Sequence, residues 1–386
     1  MKKSSRVLYI IAALLVAAQA VVSVLLVVSV FRMNVLPGWA NIVFAVVMVV
    51  TFIVCALPLI FARKRWMAFR IICVILSFLT IGGGVFALRY TDSVNAFLDK
   101  ISLTSDQGTD VAYGELDITK DPYILYISGS DSRNNVDDPN ARSDVNILAV
   151  VNPVKRKILL VSIPRDTYVQ LHGTTGLKDK LTHAGLNNNT ELSKATLEDF
   201  LGIKISHVLK VSFETVVNVV DQLDGIEIYS DTAMNLGAES KKNPGKRCNF
   251  IEGTQEVDGD CALRFARERK TYLRGDKHRG ENQQEVLTGI INKVFSSNNY
   301  LMKLPEILDI VGNSFTTSFT RDEITGFMRA ELNAGKKWQI ESIGLDGTGD
   351  MLPTYTYGES TPLWVMIPDE ASLKEVVDKI NENLAN

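Results

Sequence analysis

Charge is divided along this chain more sharply than any other property. Residues 1–91 hold nine Lys/Arg and no Asp or Glu, whereas residues 92–386 hold 32 Lys/Arg against 44 Asp/Glu, giving the whole chain a net charge of −3. The acid-free part contains three apolar runs, Val7–Phe31, Ala40–Phe61 and Ile71–Leu88. A membrane span needs about 20 apolar residues, so all three qualify, the third near the lower limit. The first is too long for a signal-peptide core. Lys2, Lys3 and Arg6 precede the first run, and Arg63, Lys64, Arg65 and Arg70 separate the second from the third, whereas only Arg32 lies between the first and second. Basic loops stay on the cytoplasmic side. The N-terminus and the second loop are therefore expected in the cytoplasm, and everything after Arg89 outside.

The acidic part reads as a stalk, residues 91–120, followed by one α/β domain. The domain's main part is expected over residues 121–300, and residues 301–386 complete it. Tyr123–Ile127, Val145–Val151 and Lys157–Ile163 are compact apolar runs of strand type. Thr190–Leu201 reads as an amphipathic helix stopped at Gly202, and Phe213–Leu223 as another. Ile205–Val211 and Gly225–Tyr229 read as strands. A helix is expected from Gln284 to about Phe295, and Thr320-Arg-Asp-Glu323 has the form of a capping box. Trp338–Leu345 and Leu363–Ile367 read as strands, and Asp369–Leu384 as the last helix. Alternation of this kind predicts an α/β/α sandwich with a mixed central sheet, preceded by three transmembrane helices.

Asn152-Pro153 marks a tight turn between the second and third strands, which makes them antiparallel. If the first strand also runs antiparallel to the second, Asp131, Arg142, Asp144, Arg165 and Asp166 meet at one rim of the sheet. Paired carboxylates beside arginines suit Mg²⁺ bridging to phosphate oxygens, because Mg²⁺ takes one or two carboxylates plus phosphate. Loop acids paired with loop arginines would look the same one residue at a time. The convergence of five favours a site. Lys180 and His183 lie in a further loop, where a lone His is read as a structural hydrogen-bonding group.

A basic cluster follows: Arg264, Arg267, Arg269, Lys270, Arg274, Lys277 and Arg279. In an extended segment Arg267 and Arg269 share a face. On a helix Arg279 and Gln283 share one. Converging guanidinium forks suit a phosphate-bearing ligand. Glu268, Asp276, Glu281 and Glu285 could equally neutralise the run into a solvated face. Lys270, Arg274 and Lys277 are assigned to solvent. Cys248 and Cys261 are the cysteines of the acidic part, and a disulfide and two free thiols are both open. Asp231–Lys246 reads as a polar insertion.

Ile127-Ser-Gly-Ser-Asp-Ser-Arg133, Arg142-Ser-Asp144, Ser162-Ile-Pro-Arg-Asp166, Lys180-Leu-Thr-His-Ala184, Arg267-Glu-Arg269 and Arg279 to Gln284 occur in this order. Together they resemble the LytR-CpsA-Psr family of cell-envelope proteins over roughly Asp121 to Ser297. The resemblance implies a membrane-anchored, Mg²⁺-dependent phosphotransferase (Mn²⁺ being the alternative ion) of a Gram-positive-type envelope. It would move a glycopolymer, such as teichoic acid or capsule, from undecaprenyl-pyrophosphate to the muramic acid C6 hydroxyl of peptidoglycan. No nucleic acid is implied as a partner.

The matching positions are Asp131 and Asp144 for the metal. Arg142, Arg165, Lys180, Arg267, Arg269, Arg279 and Gln283 match for the pyrophosphate. Arg165, Asp166, Arg267 and Arg269 are the expected catalytic group, Asp166 being the candidate general base. Where the family often has Arg before the two Gln, this chain has Asn282. An accessory domain of some three-span relatives is reduced or missing. A non-catalytic lipid-phosphate-binding regulator and a lipid pyrophosphatase would present the same residues. The carrier's apolar chain needs a groove that the sequence does not place.

Overall fold

The structure is a computed structural model, and it describes residues 3–36, 38–60, 67–105, 116–130, 143–239, 247–272, 275–296, 315–334 and 337–385. The chain divides into two units, one of residues 1–99 with 324–333 and one of residues 100–323 with 334–386. The first contains α1 (Lys3–Met33), α2 (Gly38–Ile60) and the start of α3 (Met67–Ser105). Within them Tyr9–Met33, Gly38–Leu57 and Ile71–Ala96 are long and apolar enough to cross a membrane. One buried polar contact joins two of these helices. Ser77 Oγ donates to Gln19 Oε1 at 2.8 Å, and both residues are buried. The expected stalk begins as a continuation of the third helix, since α3 runs unbroken to Ser105.

The second unit is built on a six-stranded sheet. Its strands are β1 (Tyr123–Ser130), β2 (Ser143–Asn152), β3 (Lys157–Ser162), β6 (His207–Ser212), β11 (Phe315–Thr317) and β12 (Gln339–Gly344), in the order β11-β6-β1-β2-β3-β12. β1 and β3 both run antiparallel to β2, whereas β6 pairs parallel with β1 and β12 parallel with β3. The sheet is therefore mixed, as expected.

Strand alternation divides its side chains between two faces. Ile124, Tyr126, Leu148, Val150, Leu159 and Val161 pack with Leu197 of α5 (Thr190–Leu201) and with Val376 and Ile380 of the last helix, α10 (Glu370–Leu384). Each such side chain contributes about 1.5–3 kcal/mol when fully buried. Flanking the other face are α6 (Phe213–Gln222), α7 (Gly259–Arg267) and α8 (Asp276–Ser296). They form a second core with β7 (Ile226–Ser230) that includes Val220, Ile226, Phe265 and Val286.

Helix ends follow the local sequence. Asn189 caps α5 by accepting from the Leu192 amide, and Gly202 ends the helix in the left-handed region at φ 65°. Ser212 and Thr215 form a capping box on α6. Before α9 (Arg321–Ala334), Glu323 accepts from the Thr320 amide at 2.7 Å, completing the expected box.

Several expectations need correcting. α8 begins at Asp276 and not Gln284. Its first two turns are polar residues that face other groups of the protein, so no apolar period marks them. α7 was not anticipated, and it makes Arg267 the last residue of a helix. Part of the supposed polar insertion is β8 (Met234–Glu239), paired with β9 (Arg247–Phe250); residues 240–246 lie outside the described residues. Cys248 on β9 and Cys261 on α7 form a disulfide with a Cα–Cα separation of 5.2 Å. Cys55 and Cys73 are free and buried. Residues 346–368, of which only Leu363–Ile367 was expected as strand, form a hairpin of β13 (Gly347–Thr354) and β14 (Gly358–Pro368).

α8 lies unusually close to β7. A Cβ added at Gly289 would sit 2.5 Å from the Glu227 carbonyl oxygen. In an ordinary helix interior Gly→Ala stabilises by about 1 kcal/mol. Here Gly289→Ala is expected to reverse that sign and cost about 1–3 kcal/mol through overpacking. Thermal unfolding of the purified protein in detergent would read it as a lowered midpoint.

Candidate functional site

Four strands, β1, β3, β6 and β12, stop at one edge of the sheet, and β2 starts there. Ser130, at the end of β1, lies opposite Ser143, the first residue of β2; Ser162 lies opposite Ile147 on one side and Gly344 on the other. Ligands of α/β sheets bind outside the carboxyl ends of strands. The amino end of α8 arrives at the same edge. A polar cleft there is lined by Asp144, Arg165, Asp276, Lys277, Arg279 and Gln283, with the backbone turn Ile163–Pro164 and Leu345. Its free volume is about 20 Å³.

The cleft is filled by alternating charges. Arg165 Nη1 donates to Asp144 Oδ1 at 2.6 Å, and Arg165 Nε lies 3.5 Å from Asp166 Oδ2. Lys180 Nζ donates to Asp166 Oδ1 at 2.8 Å. Arg279 Nη2 lies 2.9 Å from Asp276 Oδ1. Burial pulls the Arg165 pKa down, but Asp144, Asp166 and Asp276 outweigh it and hold the value above the usual arginine range. Arg279 is held below it: burial is the main cause, the neighbouring Arg165 and Arg269 add to it, and Asp276 and Asp144 oppose it. Three guanidinium groups therefore sit near one another. Arg165 Nε is also buried without a hydrogen-bond partner among the described residues. A buried donor left over in this way suits an anionic ligand.

The other expected residues fall as follows. Asp131 and Arg142 lie outside the described residues, as does Arg274. Arg267 is exposed at the end of α7, its guanidinium carbon 4.9 Å from the centre of the Phe213 ring. Arg269 is exposed beyond that helix, so the shared extended face expected for the pair is not formed. Lys270 is exposed, as expected. Lys277 is not in solvent: it lines the cleft and bonds to Asp346. Gln283 faces the cleft, whereas the adjacent Gln284 is structural, its Nε2 donating to the carbonyls of Leu160 at 2.9 Å and Ile343 at 2.7 Å. Asn282 donates to the Phe265 carbonyl at 3.0 Å, closing the end of α7.

His183 is structural, as expected. Its Nδ1 lies 2.5 Å from Oδ1 of Asp179, which is fully buried and also accepts from the Thr356 and Lys180 amides. Asp179 and Lys180 form β5, paired with β4 (Tyr168–Val169), so this cluster holds the segment that presents Lys180.

Beside the polar cleft, on the face covered by α6, α7 and α8, lies an apolar groove of about 290 Å³. Ile127, Ile147, Leu209 and Val211 line it from the sheet, and Phe213, Val286 and Ile290 from the helices. The sequence did not place this groove, because each of its walls reads as ordinary core. Gln283 lines both the groove and the cleft. Asp276 was also overlooked as a site residue. The signal available for it was an Asp276–Arg279 pair three apart at the start of a helix.

A pH dependence follows for the Asp179 cluster. Burial raises its carboxyl, but hydrogen bonds from His183, Thr356 and Lys180 outweigh this and leave the pKa below the ordinary value. A carboxyl depressed on folding stabilises above its unfolded value and loses that contribution as pH falls through the folded one. The protein is expected to lose stability below about pH 4, and Asp179→Asn to show a flatter profile there. Denaturant unfolding at pH 7 and pH 3 measures the difference.

Comparison with known proteins agrees with this architecture. The chain is 28% identical over 326 residues to polyisoprenyl-teichoic acid–peptidoglycan teichoic acid transferase TagU of Bacillus subtilis (strain 168), covering 83% of this chain and 97% of that protein. It resembles the crystal structure of B. subtilis TagV with a TM-score of 0.55 at 26% identity, over 69% of this chain and 98% of that one. A structure of TagT bound to LIIa-WTA matches with a TM-score of 0.54 at 25% identity, over 72% of this chain and 97% of that one. Residues 92–377 match the LytR_cpsA_psr family, and the chain belongs to that family.

Proposed function

We propose that this protein transfers a glycopolymer from a polyprenyl-pyrophosphate carrier, undecaprenyl-pyrophosphate, to the muramic acid C6 hydroxyl of peptidoglycan. The observation that carries this reading is Gln283. It stands where an arginine-lined cleft meets an apolar groove, which suits a ligand with an anionic head and a long apolar tail. The relatives named for teichoic acid transfer to peptidoglycan support the same class of reaction.

In this reading the carrier's tail occupies the groove and its pyrophosphate enters the cleft. The free cleft holds about one water. Entry therefore requires Arg165 and Arg279 to exchange their carboxylate partners for phosphate oxygens. Both guanidinium groups can then bind phosphate through two parallel hydrogen bonds. Arg267, supported on Phe213, and Arg269 reach the same ligand from the rim. The amino end of α8 adds the positive end of its dipole.

The acceptor hydroxyl attacks the polymer-side phosphorus. A new ester bond forms, the bond to the lipid-side phosphate breaks, and polyprenyl phosphate leaves carrying the hydroxyl's proton. The pyrophosphate bond supplies the driving force. Asp166 has one oxygen bonded to Lys180 and the other close to Arg165. This arrangement suits positioning the two cations better than accepting a proton.

The carboxylates at this edge are the hard oxygen donors that Mg²⁺ takes. Asp144, together with Asp131, would hold it, and when bound it supplies positive charge against the leaving phosphate. Asp144 accepts a short hydrogen bond from Arg165 in the free protein, so the exchange that turns Arg165 to phosphate would free this carboxylate for the cation.

The test is transfer by the purified full chain in detergent, from a polyprenyl-pyrophosphate-linked glycan to peptidoglycan fragments. Arg165→Lys keeps the charge and loses the planar fork. It is expected to lower kcat/KM by roughly 10- to 100-fold, the equivalent of a charge-assisted hydrogen bond. Leu287→Asp, at a half-buried position of the groove wall, is expected to raise KM for the long-chain carrier and to leave a short-chain analogue little affected. Hydrolysis of the carrier with no glycan joined would make the protein a lipid pyrophosphatase.

A further inference from the structure

The β13–β14 hairpin carries a second surface. Apart from a bridge between Met366 and Thr167, the two strands pair with each other among the described residues, and the hairpin's outer part is exposed. Met351 is 58% exposed, Tyr355 52%, Tyr357 47% and Trp364 47%. Trp364 lies opposite Met351 in the register. A Cβ at Gly349 would come within 2.8 Å of the Trp364 indole, so the ring rests on glycine backbone. Exposed aromatic rings grouped on one element mark a binding surface and not ordinary solvent-facing structure.

The hairpin is fastened to the segments that build the cleft. The Met366 amide donates to the Asp166 carbonyl at 2.8 Å, the Tyr355 amide to the Lys178 carbonyl at 3.0 Å, and Tyr168 Oη to the Pro353 carbonyl at 2.8 Å. Asp346, at its root, bonds to Lys277 in the cleft. The hairpin that carries the aromatic surface is therefore anchored to segments that build the polar cleft.

Its charge narrows the partner. Residues 346–368 contain Asp346, Asp350 and Glu359 and no Lys, Arg or His. Such a segment repels anionic lipid headgroups and phosphate-rich polymers. It suits an uncharged, hydroxyl-bearing chain, whose sugar rings stack on aromatic faces and whose hydroxyls donate to carboxylates.

We infer that the β13–β14 hairpin is a docking surface for the acceptor glycan strand, which it leads towards the polar cleft. This rests on the proposed transfer reaction but is tested without it. The full chain in detergent is sedimented with purified peptidoglycan stripped of attached polymer, in the absence of carrier. Trp364→Ala and Tyr357→Ala are each expected to weaken co-sedimentation roughly fivefold or more, as the loss of one aromatic contact requires. Trp364→Phe should restore most of it, which separates stacking from a folding defect. Binding of a polyprenyl-pyrophosphate analogue should not change in any of the three. The inference is overturned if wild type does not co-sediment, if the alanine variants match wild type, or if they lose the lipid analogue instead of the glycan. Failure of transfer with glycan binding intact would count against the proposed reaction and not against this surface.

Discussion

Everything at the site depends on how close α8 lies to the sheet. Gln284 is buried and fixes that distance by donating to two carbonyls on different strands, Leu160 of β3 and Ile343 of β12. Leaving buried carbonyls unpaired costs about 1–3 kcal/mol each. The helix therefore has one favourable depth and one rotation. Gly280 and Gly289 permit that depth, with Ser162 and the Glu227 carbonyl directly beneath them. From this single placement Arg279 enters the polar cleft, Gln283 stands at its junction with the groove, and Val286 joins the groove wall.

The charges at the edge show how the free protein tolerates crowded arginines. Arg165 and Arg279 are partly buried and disfavour each other, and each is held by a carboxylate at 2.6–2.9 Å. Those carboxylates stand where phosphate oxygens would be in the proposed complex. Binding is then an exchange of partners, and it spares the protein the cost of burying bare charge. Lys180 and Asp166 extend the same network to the Asp179–His183 cluster and, through Met366, to the hairpin. The cleft, the loop beneath it and the aromatic surface are thus mechanically one piece.

Much of this was legible in the sequence because it follows from short-range rules. The turn at Asn152-Pro153 dictated the antiparallel pair, and that pair alone brought Asp144 and Arg165 to one rim. The capping box at Thr320 and the stop at Gly202 were equally local. What stayed hidden was set by long-range packing. The first turns of α8 carry polar side chains that bond to other parts of the protein, so hydrophobic periodicity could not reveal the helix. The groove is assembled from alternate positions on four strands together with three helices, each apolar in a way that reads as core. Arg267 and Arg269 were expected on an extended face, but α7 ends between them. Lys277 looked like a solvent charge until Asp346, 69 residues further on, proved to be its partner.

The central claim is that the cleft and the groove form one site for a single two-part ligand. Mass spectrometry of lipids retained by the full chain, purified gently from its own membranes, tests it most directly. The account predicts polyprenyl phosphate or pyrophosphate in wild type. It also predicts loss of that lipid both from a variant changed in the groove, at the half-buried Leu287 (Leu287→Asp), and from one changed only in the cleft, Arg279→Ala. Retention of bulk phospholipid alone, or of the same lipid by both variants, would contradict it.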